Sequence, residues 1–395
     1  MANSAIGLQS PIGLQDNRNE LINGEFNLWQ RGITAGVGFT QGFQNLYTAD
    51  RWKYYAQTNQ TGLGATAPDA RISRHDFALG VPSGTVIKSP YYLNIFFGDT
   101  GAAADTPLGA AAGEPQGGFS AGTGAGNFAG LFQDIEDVRT LSGKSAILSF
   151  WAKSDIGNQR ISAKLKQSFA SGTADVEVQG YTGAGFTLDN TWRQYKTEFN
   201  VPSVVGQVIG TSGDSALQLG LYFHYCVGHG SPTNILGLTF EVGNAAGASG
   251  NVSIAQVQLE QGTNATEFDR KSNAVEISEC GRFYQKTYNL NDAPGTDTNF
   301  AGMHMLNYWT PNVDHISHHE FVPPMKSTPT VSVYDRAGNI DKASSTSTNN
   351  KNVSKVHISE RGFNWGFDAN SGRPGTTVYY VHIVADSELS VTTNS

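Results

Sequence analysis

Three groups of residues in this chain have the types and spacing to do chemistry. In DHISHHEF, Asp314 to Phe321, a strand puts His315 and His319 on one face and His318 on the other. Two imidazoles four residues apart on a strand stand about 13 Å from each other, too far to share one ion. Metal binding there would need His304 or His382 from neighbouring strands, or a symmetry axis. In FQDIEDVR, Phe132 to Arg139, Asp134 and Glu136 would share a strand face at about 7 Å, a separation that a glycosidase can use. Acids on an outward face are more commonly just solvated, and no Ser-His-Asp or Cys-His motif accompanies them. The third group is aromatic and amide. Alternation leaves Trp151, Tyr222, His224 and Gln218 off the core face of their strands, SPYYLNIFFG does the same for Tyr92 and Asn94, and Lys164 can join them. Pyranose rings stack on such aromatics while their hydroxyls need amides and charges, so these residues are candidates for a sugar groove on the outward face of one sheet. The competing reading is that they pack beneath a loop or against a neighbouring subunit.

Strands must position all three groups, and the composition provides for strands. The 395 residues include 46 glycines and 14 prolines, with only 15% charged side chains, a mix that favours short strands and many turns over helices. SAILSFWAKS alternates Ala146, Leu148, Phe150 and Ala152 against Ile147, Ser149, Trp151 and Lys153. RISAKLKQSF sends Ile161, Ala163 and Leu165 inward, and ALQLGLYFHYC sends Leu217, Leu219, Leu221 and Phe223 the same way. Several such strands at short spacing predict two packed antiparallel sheets. Residues 98–130 are mostly Gly and Ala without a period, an insertion at the sandwich rim. One helix is expected in SNAVEISECGRFYQK, with Asn273 as N-cap and Ile277, Cys280 and Tyr284 as its apolar stripe.

Other function classes find little support. With 26 basic and 34 acidic residues, net charge −8 and no basic run, the chain lacks the stripe of a nucleic-acid binder. No stretch approaches the roughly 18–20 apolar residues of a membrane span, and the N-terminus lacks a signal-peptide pattern, so synthesis in the cytoplasm without membrane insertion is expected. Cys226 and Cys280 match no metal spacing and read as free thiols. The N-terminus writes IGLQ twice, at Ile6 to Gln9 and Ile12 to Gln15. It is either a disordered tail or an extended docking peptide, residues 1–20, whose Ile6, Leu8, Ile12 and Leu14 fill pockets on a larger assembly.

NGEFNLWQRG with YTADRW, then LSGKSAILSFWAKSD, TWRQYKTEFNVPS, VQLEQGTNATEFD and EISECGRFYQK, resemble in order and spacing a module of tailed-bacteriophage tail fibres and other virion surface proteins. The resemblance covers roughly Leu21 to Lys286. It implies an all-β chain: a jelly-roll sandwich like that of carbohydrate-binding modules over 21–270, a connector helix in 271–290 and a smaller C-terminal β-sandwich over 291–395. In that jelly-roll, Phe26 and Leu28 would point inward from a first strand, Trp29 and Trp52 would cover its ends, and Gln30, Arg31, Asp50 and Arg51 would tie strand ends together. It further implies a homotrimer on the virion surface, joined to other virion proteins through its N-terminus and attaching to host-surface polysaccharide without enzymatic activity. Modules of this kind often hold a structural calcium, for which Glu25 and Asp269 could supply oxygens. The acidic position expected before the last strand reads Ala255-Gln256 here, a departure that puts the ion in doubt, and no other cofactor is implied. Two alternatives stay open: a head fibre or decoration protein with an architectural role, and a polysaccharide depolymerase.

Overall fold

Alternation becomes two sheets in the computed structural model, which describes residues 18–39, 42–58, 67–77, 87, 89–97, 128–157, 159–170, 172–180, 185–210, 214–225, 250–298, 301–308, 315–345, 351–367 and 377–388. The first strands are β1 (Thr34–Phe39), β2 (Gly42–Tyr47), β3 (Lys53–Thr58), β4 (Ala67–Asp76), β5 (Tyr91–Phe97), β6 (Phe128–Glu136) and β7 (Ser145–Ser154). They continue with β8 (Arg160–Ser168), β9 (Val176–Gln179), β10 (Phe186–Thr187), β11 (Arg193–Asn200), β12 (Ala216–Tyr225) and β13 (Gly250–Gln261). One sheet runs β1-β4-β5-β13-β7-β11; the other runs β10-β8-β12-β6-β3-β2, with β9 added beside β8. Their inner faces meet in one core. Ile72, Leu93, Ile95, Leu148, Phe150 and Ile254 come from the first sheet, and Tyr54, Leu131, Leu165, Leu219 and Leu221 from the second. Each such side chain contributes about 1.5–3 kcal/mol by leaving water.

The segment expected to be the first strand, INGEFNLWQRG, is not a strand. Asn23 and Phe26 hold φ angles of 57° and 59°, outside anything a strand adopts. The Asn23 amide favours this path by donating to the Leu28 and Asp50 carbonyls at 2.9 and 3.1 Å. The chain just before lies along β13 instead. Val257 N donates to Gly24 O at 2.9 Å and Asn19 Nδ2 to Val257 O at 3.1 Å. A Cβ on Gly24 would stand 2.2 Å from Val257 O, so only glycine fits. Trp29 and Trp52 are fully buried, their indole nitrogens donating to Phe26 O and Asn23 O at 2.8 and 3.0 Å.

Between the sandwiches stands α1 (Asn273–Gly281), the single helix among the described residues. Ser272, not Asn273, is its N-cap, the hydroxyl accepting from Val275 N at 3.4 Å. The expected apolar stripe is also revised. Cys280 is buried, but Ile277 is exposed and Tyr284 belongs to the next strand, because the helix ends at Gly281.

That strand is β14 (Tyr284–Lys286), followed by β15 (His304–Tyr308), β16 (His315–Glu320), β17 (Thr330–Tyr334), β18 (Lys342–Ser345) and β19 (Lys351–Asn352). The last are β20 (Ser354–Ser359), β21 (Gly362–Phe367) and β22 (Thr377–Asp386). β22 pairs with β14, β15, β17 and β18, while β16, β21 and β20 form a three-stranded sheet. Phe321, Val333, Phe363, Trp365, Tyr379 and Val381 fill the space between.

Arg31 and Arg51 make ties within the first sandwich, to Asp50 at 4.0 Å and to the Asp134 carbonyl at 2.5 Å, and also tie the two sandwiches to each other. Arg31 Nη2 lies 2.9 Å from Asp386 Oδ2 and 3.5 Å from Glu388 Oε1. Arg51 pairs with the other Glu388 oxygen, both side chains being almost wholly buried. The guanidinium groups sit over aromatics, with Arg31 Cζ 3.7 Å from the centre of the Tyr284 ring and Arg51 Cζ 3.5 Å from that of Phe283. Asp50 is fixed by Gln30, which donates N–H at 3.0 Å and Nε2 at 2.8 Å.

Two outcomes follow. Glu388→Ala strands Arg51 in the interior and should cost about 3–5 kcal/mol in urea unfolding. Glu136→Ala breaks only the half-exposed pair with Arg282 and should cost under about 1 kcal/mol. Burial pushes His319 and His382 down to about 4, so the folded protein keeps both rings neutral. Unfolded histidine takes its proton near pH 6.5, so stability should fall as pH drops from about 6.5 towards 4 and stop falling from this source below that. His382→Gln should flatten the fall in urea midpoint between pH 7 and 4.5; an unchanged slope would contradict the assignment.

Candidate functional site

Strand register brings the polar residues of four strands into one row. On the outer face of the first sheet Ser73 of β4 stands opposite Asn94 of β5, Asn94 opposite Ser253 of β13, and Ser253 opposite Lys153 of β7. Beside it runs an aromatic row. His75 faces Tyr92, and across the sheet Trp151 stands between Ala255 and Gln194.

A cleft of about 190 Å³ opens over these rows, lined by His75, Tyr92, Asn94, Lys153 and Ser253, with Asp155, Asn190 and Asn251 at one end. The polar floor is braced. Asn94 Nδ2 donates to Asn251 Oδ1 at 2.8 Å, and Asn94 Oδ1 accepts from Ser253 Oγ at 2.8 Å. Asn251 donates to both Asp155 oxygens, from Nδ2 at 2.8 Å and from its backbone N–H. Each of these two amide nitrogens has a second N–H to offer. Two of the lining residues, His75 and Tyr92, belong to an aromatic cluster. Tyr92 stacks on His75 with centroids 5.4 Å apart, and Trp192, on the turn before β11, meets Tyr92 edge-on at 5.3 Å and Phe77 at 5.2 Å. Burial, with the nearby Arg71 charge, lowers the His75 pKa and favours a neutral ring. A larger hollow of about 540 Å³ beside β11, lined by Ile147, Lys196, Glu198 and Asn264 among others, has no aromatic side chain on which a sugar could stack.

The sugar-site candidates read from the sequence divide between the two sheets. Tyr92, Asn94 and Trp151 lie on the face just described. Lys164 of β8 and Gln218, Tyr222 and His224 of β12 belong to the opposite sheet, so the seven do not line one groove. Moreover, Lys164, Gln218 and Tyr222 are buried. Lys164 Nζ lies 2.5 Å from Glu177 Oε1 and 5.1 Å from the Tyr222 ring centre, Tyr222 packs edge-on against Phe132 at 5.2 Å, and Gln218 Nε2 donates to Asp134 Oδ1 at 2.7 Å. Period-two alternation assigns a residue to the outside of its own sheet but does not say which sheet that is.

Reading by residue type also passed over Trp192, His75, Lys153, Asn251 and Ser253. A signal for three of them was present: Asn251 and Ser253 alternate with the core residues Val252 and Ile254, and Lys153 shares the Trp151 face. Trp192 lies outside the strands, and only the folded turn brings it to Tyr92.

The remaining candidates have other partners. Asp134 is buried, 3.6 Å from Lys53, and Glu136 makes two contacts with Arg282 at 2.5 and 3.1 Å, so neither carboxylate is poised as a glycosidase acid or nucleophile. His304 does reach His319, with ring centroids 4.4 Å apart, but His318 bonds Asn364 and His382 lies between Thr287 and Thr298. Among the described residues no three His, Cys, Asp or Glu side chains gather as a metal site. Glu25 is taken by Arg270 at 2.7 Å and Asn27 at 2.9 Å, and Asp269 by the Arg18 N–H at 2.8 Å. A guanidinium at that place does not fit a calcium site. Ile6, Leu8, Ile12, Leu14 and Cys226, the 98–127 part of the Gly/Ala loop and the side chains of His224 and His315 lie outside the described residues.

These elements define an all-β protein of two sandwich-like regions carrying an aromatic and amide cleft. No protein-family model matches the chain, and no curated protein matches it. Among solved structures, it is similar to the enzymatically active domain of tailspike protein 4 from bacteriophage CBA120, at 12% identity and TM-score 0.29, over 62% of this chain and 21% of that one. It is similar to the family 11 carbohydrate-binding module of the cellulosomal cellulase Lic26A-Cel5E of Clostridium thermocellum, at 13% identity and TM-score 0.27, over 58% of this chain and all of that one. TmCBM61, solved with β-1,4-galactotriose, gives 13% identity and TM-score 0.25 over 62% of this chain and 99% of that one.

The division between the sheets has a measurable consequence. Tyr222→Ala removes a buried ring and should cost about 3–5 kcal/mol in thermal or urea unfolding. Tyr92→Ala, at a half-buried ring on the cleft wall, should cost clearly less.

Proposed function

We propose that this chain is a non-enzymatic fibre-type protein of a bacteriophage virion, which attaches to host-surface glycans through the cleft over β4, β5, β13 and β7. The observation that carries the glycan reading is the pairing of an aromatic cluster with a braced amide floor. Tyr92, packed edge-on by Trp192, offers ring surface at the cleft to the C–H face of a pyranose, while Asn94, Asn251 and Ser253 offer directional bonds to its hydroxyls. The virion reading rests on the resemblance of NGEFNLWQRG, YTADRW and the motifs after them to phage surface modules. It assigns docking to Ile6, Leu8, Ile12 and Leu14 and a trimeric state to the assembled fibre. Several weak sites on one particle then bind with an avidity that none has alone.

A second reading, that of an architectural head fibre or decoration protein, is favoured by the joint between the sandwiches. Arg31 and Arg51 hold the second region to the first with buried charges, as suits a rigid spacer.

Glycan arrays and titration calorimetry separate the two. The double variant Tyr92→Ala, Trp192→Ala should lose at least about tenfold in affinity for any glycan the native protein binds, with unchanged circular dichroism. Full binding by the folded variant would remove the cleft from the proposal. Absence of binding by the native protein across host-polysaccharide panels would leave the architectural reading.

A further inference from the structure

Lys153 sits within the cleft, on the polar row opposite Ser253. Its Nζ lies 5.4 Å from the centre of the Trp192 ring, which holds the ammonium at the aromatic cluster. Two lysines on the outward face of the opposite sheet are matched at close range. Lys164 has Glu177 at 2.5 Å and Lys166 has Asp175 at 2.9 Å. Lys153 differs. Among the described residues no carboxylate oxygen lies within salt-bridge distance of its Nζ. Asp155, the carboxylate among the cleft-lining residues, is committed to the backbone and side-chain N–H groups of Asn251.

We propose that the cleft selects sugars bearing a carboxylate, hexuronates and their relatives, and that Lys153 is the residue that reads the charge. The proposal rests on the glycan reading above and narrows it. A pyranose carries the carboxylate on C5 close to the plane of its ring. Laid against Tyr92, such a ring meets the ammonium at its edge, while Asn94 and Asn251 each have an amide N–H to offer the remaining oxygens. A neutral hexose has a hydroxymethyl group there and leaves the ammonium to water. Because the pair forms in a partly enclosed cleft, it is screened less than an exposed one, and charge-assisted bonding favours the acidic sugar.

The test uses the full chain and oligosaccharides from polygalacturonate, alginate and hyaluronan, each paired with its carboxyl-reduced counterpart, in titration calorimetry. The expected result is that at least one acidic member binds roughly ten- to hundredfold more tightly than its reduced form, the range of a charge-assisted hydrogen bond. Raised salt should weaken the acidic member more. Lys153→Met should erase most of that preference, and Lys153→Arg should retain much of it. Equal affinity for both members of every pair, or a preference unaltered in Lys153→Met, would overturn this inference and leave the glycan reading standing. Binding of neither member of any pair, together with a blank neutral glycan array, would overturn both.

Discussion

The ladder of antiparallel hydrogen bonds across β4, β5, β13 and β7 is the constraint on which the cleft depends. It fixes which residue of each strand stands beside which residue of the next, and so it sets Ser73, Asn94, Ser253 and Lys153 in one line. A slip of one residue in any strand would send its member of that line into the core and bring an apolar neighbour out. Register is well protected here because the alternate residues Ile72, Leu93, Ile254 and Ala152 are all buried in the sandwich. Function on the outer face is therefore positioned by burial on the inner one.

A second constraint governs the ends of the same strands. β13 carries a bulge between Ala255 and Gln258, with Gln256 at φ 49°. Val257, within the bulge, donates its N–H to Gly24 O and accepts from the Asn19 side-chain amide. These hydrogen bonds fall next to Ala255-Gln256, the stretch that departs from the acidic pattern expected for a calcium site. Arg270 on Glu25 supplies a positive charge at the same end of the sandwich.

Much of the architecture was legible in the sequence because alternation over ten residues, as in SAILSFWAKS and ALQLGLYFHYC, has no competing helical reading. The short helix was legible too, although its cap was misplaced by one residue. Sheet membership was not. Trp151 and Tyr222 look alike by pattern, and only the pairing of β7 with β13 and of β12 with β8 shows that they stand on opposite sheets. The INGEFNLWQRG segment misled for a different reason. Its apolar residues are buried as in a strand, but Asn23 and Phe26 turn the backbone through a conformation that composition does not signal. The partners of Arg31 and Arg51 in the second sandwich, more than three hundred residues away, could not be inferred from local sequence at all.

That separation makes the joint a late event in the life of the chain. The partners Arg51 and Glu388 are 337 positions apart. A ribosome adding about 5–20 residues per second leaves tens of seconds between the emergence of one and of the other. During that interval the first sandwich has strands enough to close its core, yet the surface that receives Phe283, Tyr284 and Glu388 faces water with two guanidinium groups uncovered. On that surface Arg31 stands beside Asp50 at 4.0 Å, while the Arg51 charge waits for Glu388. The docking that finally neutralises it marks the moment at which the two regions become one body.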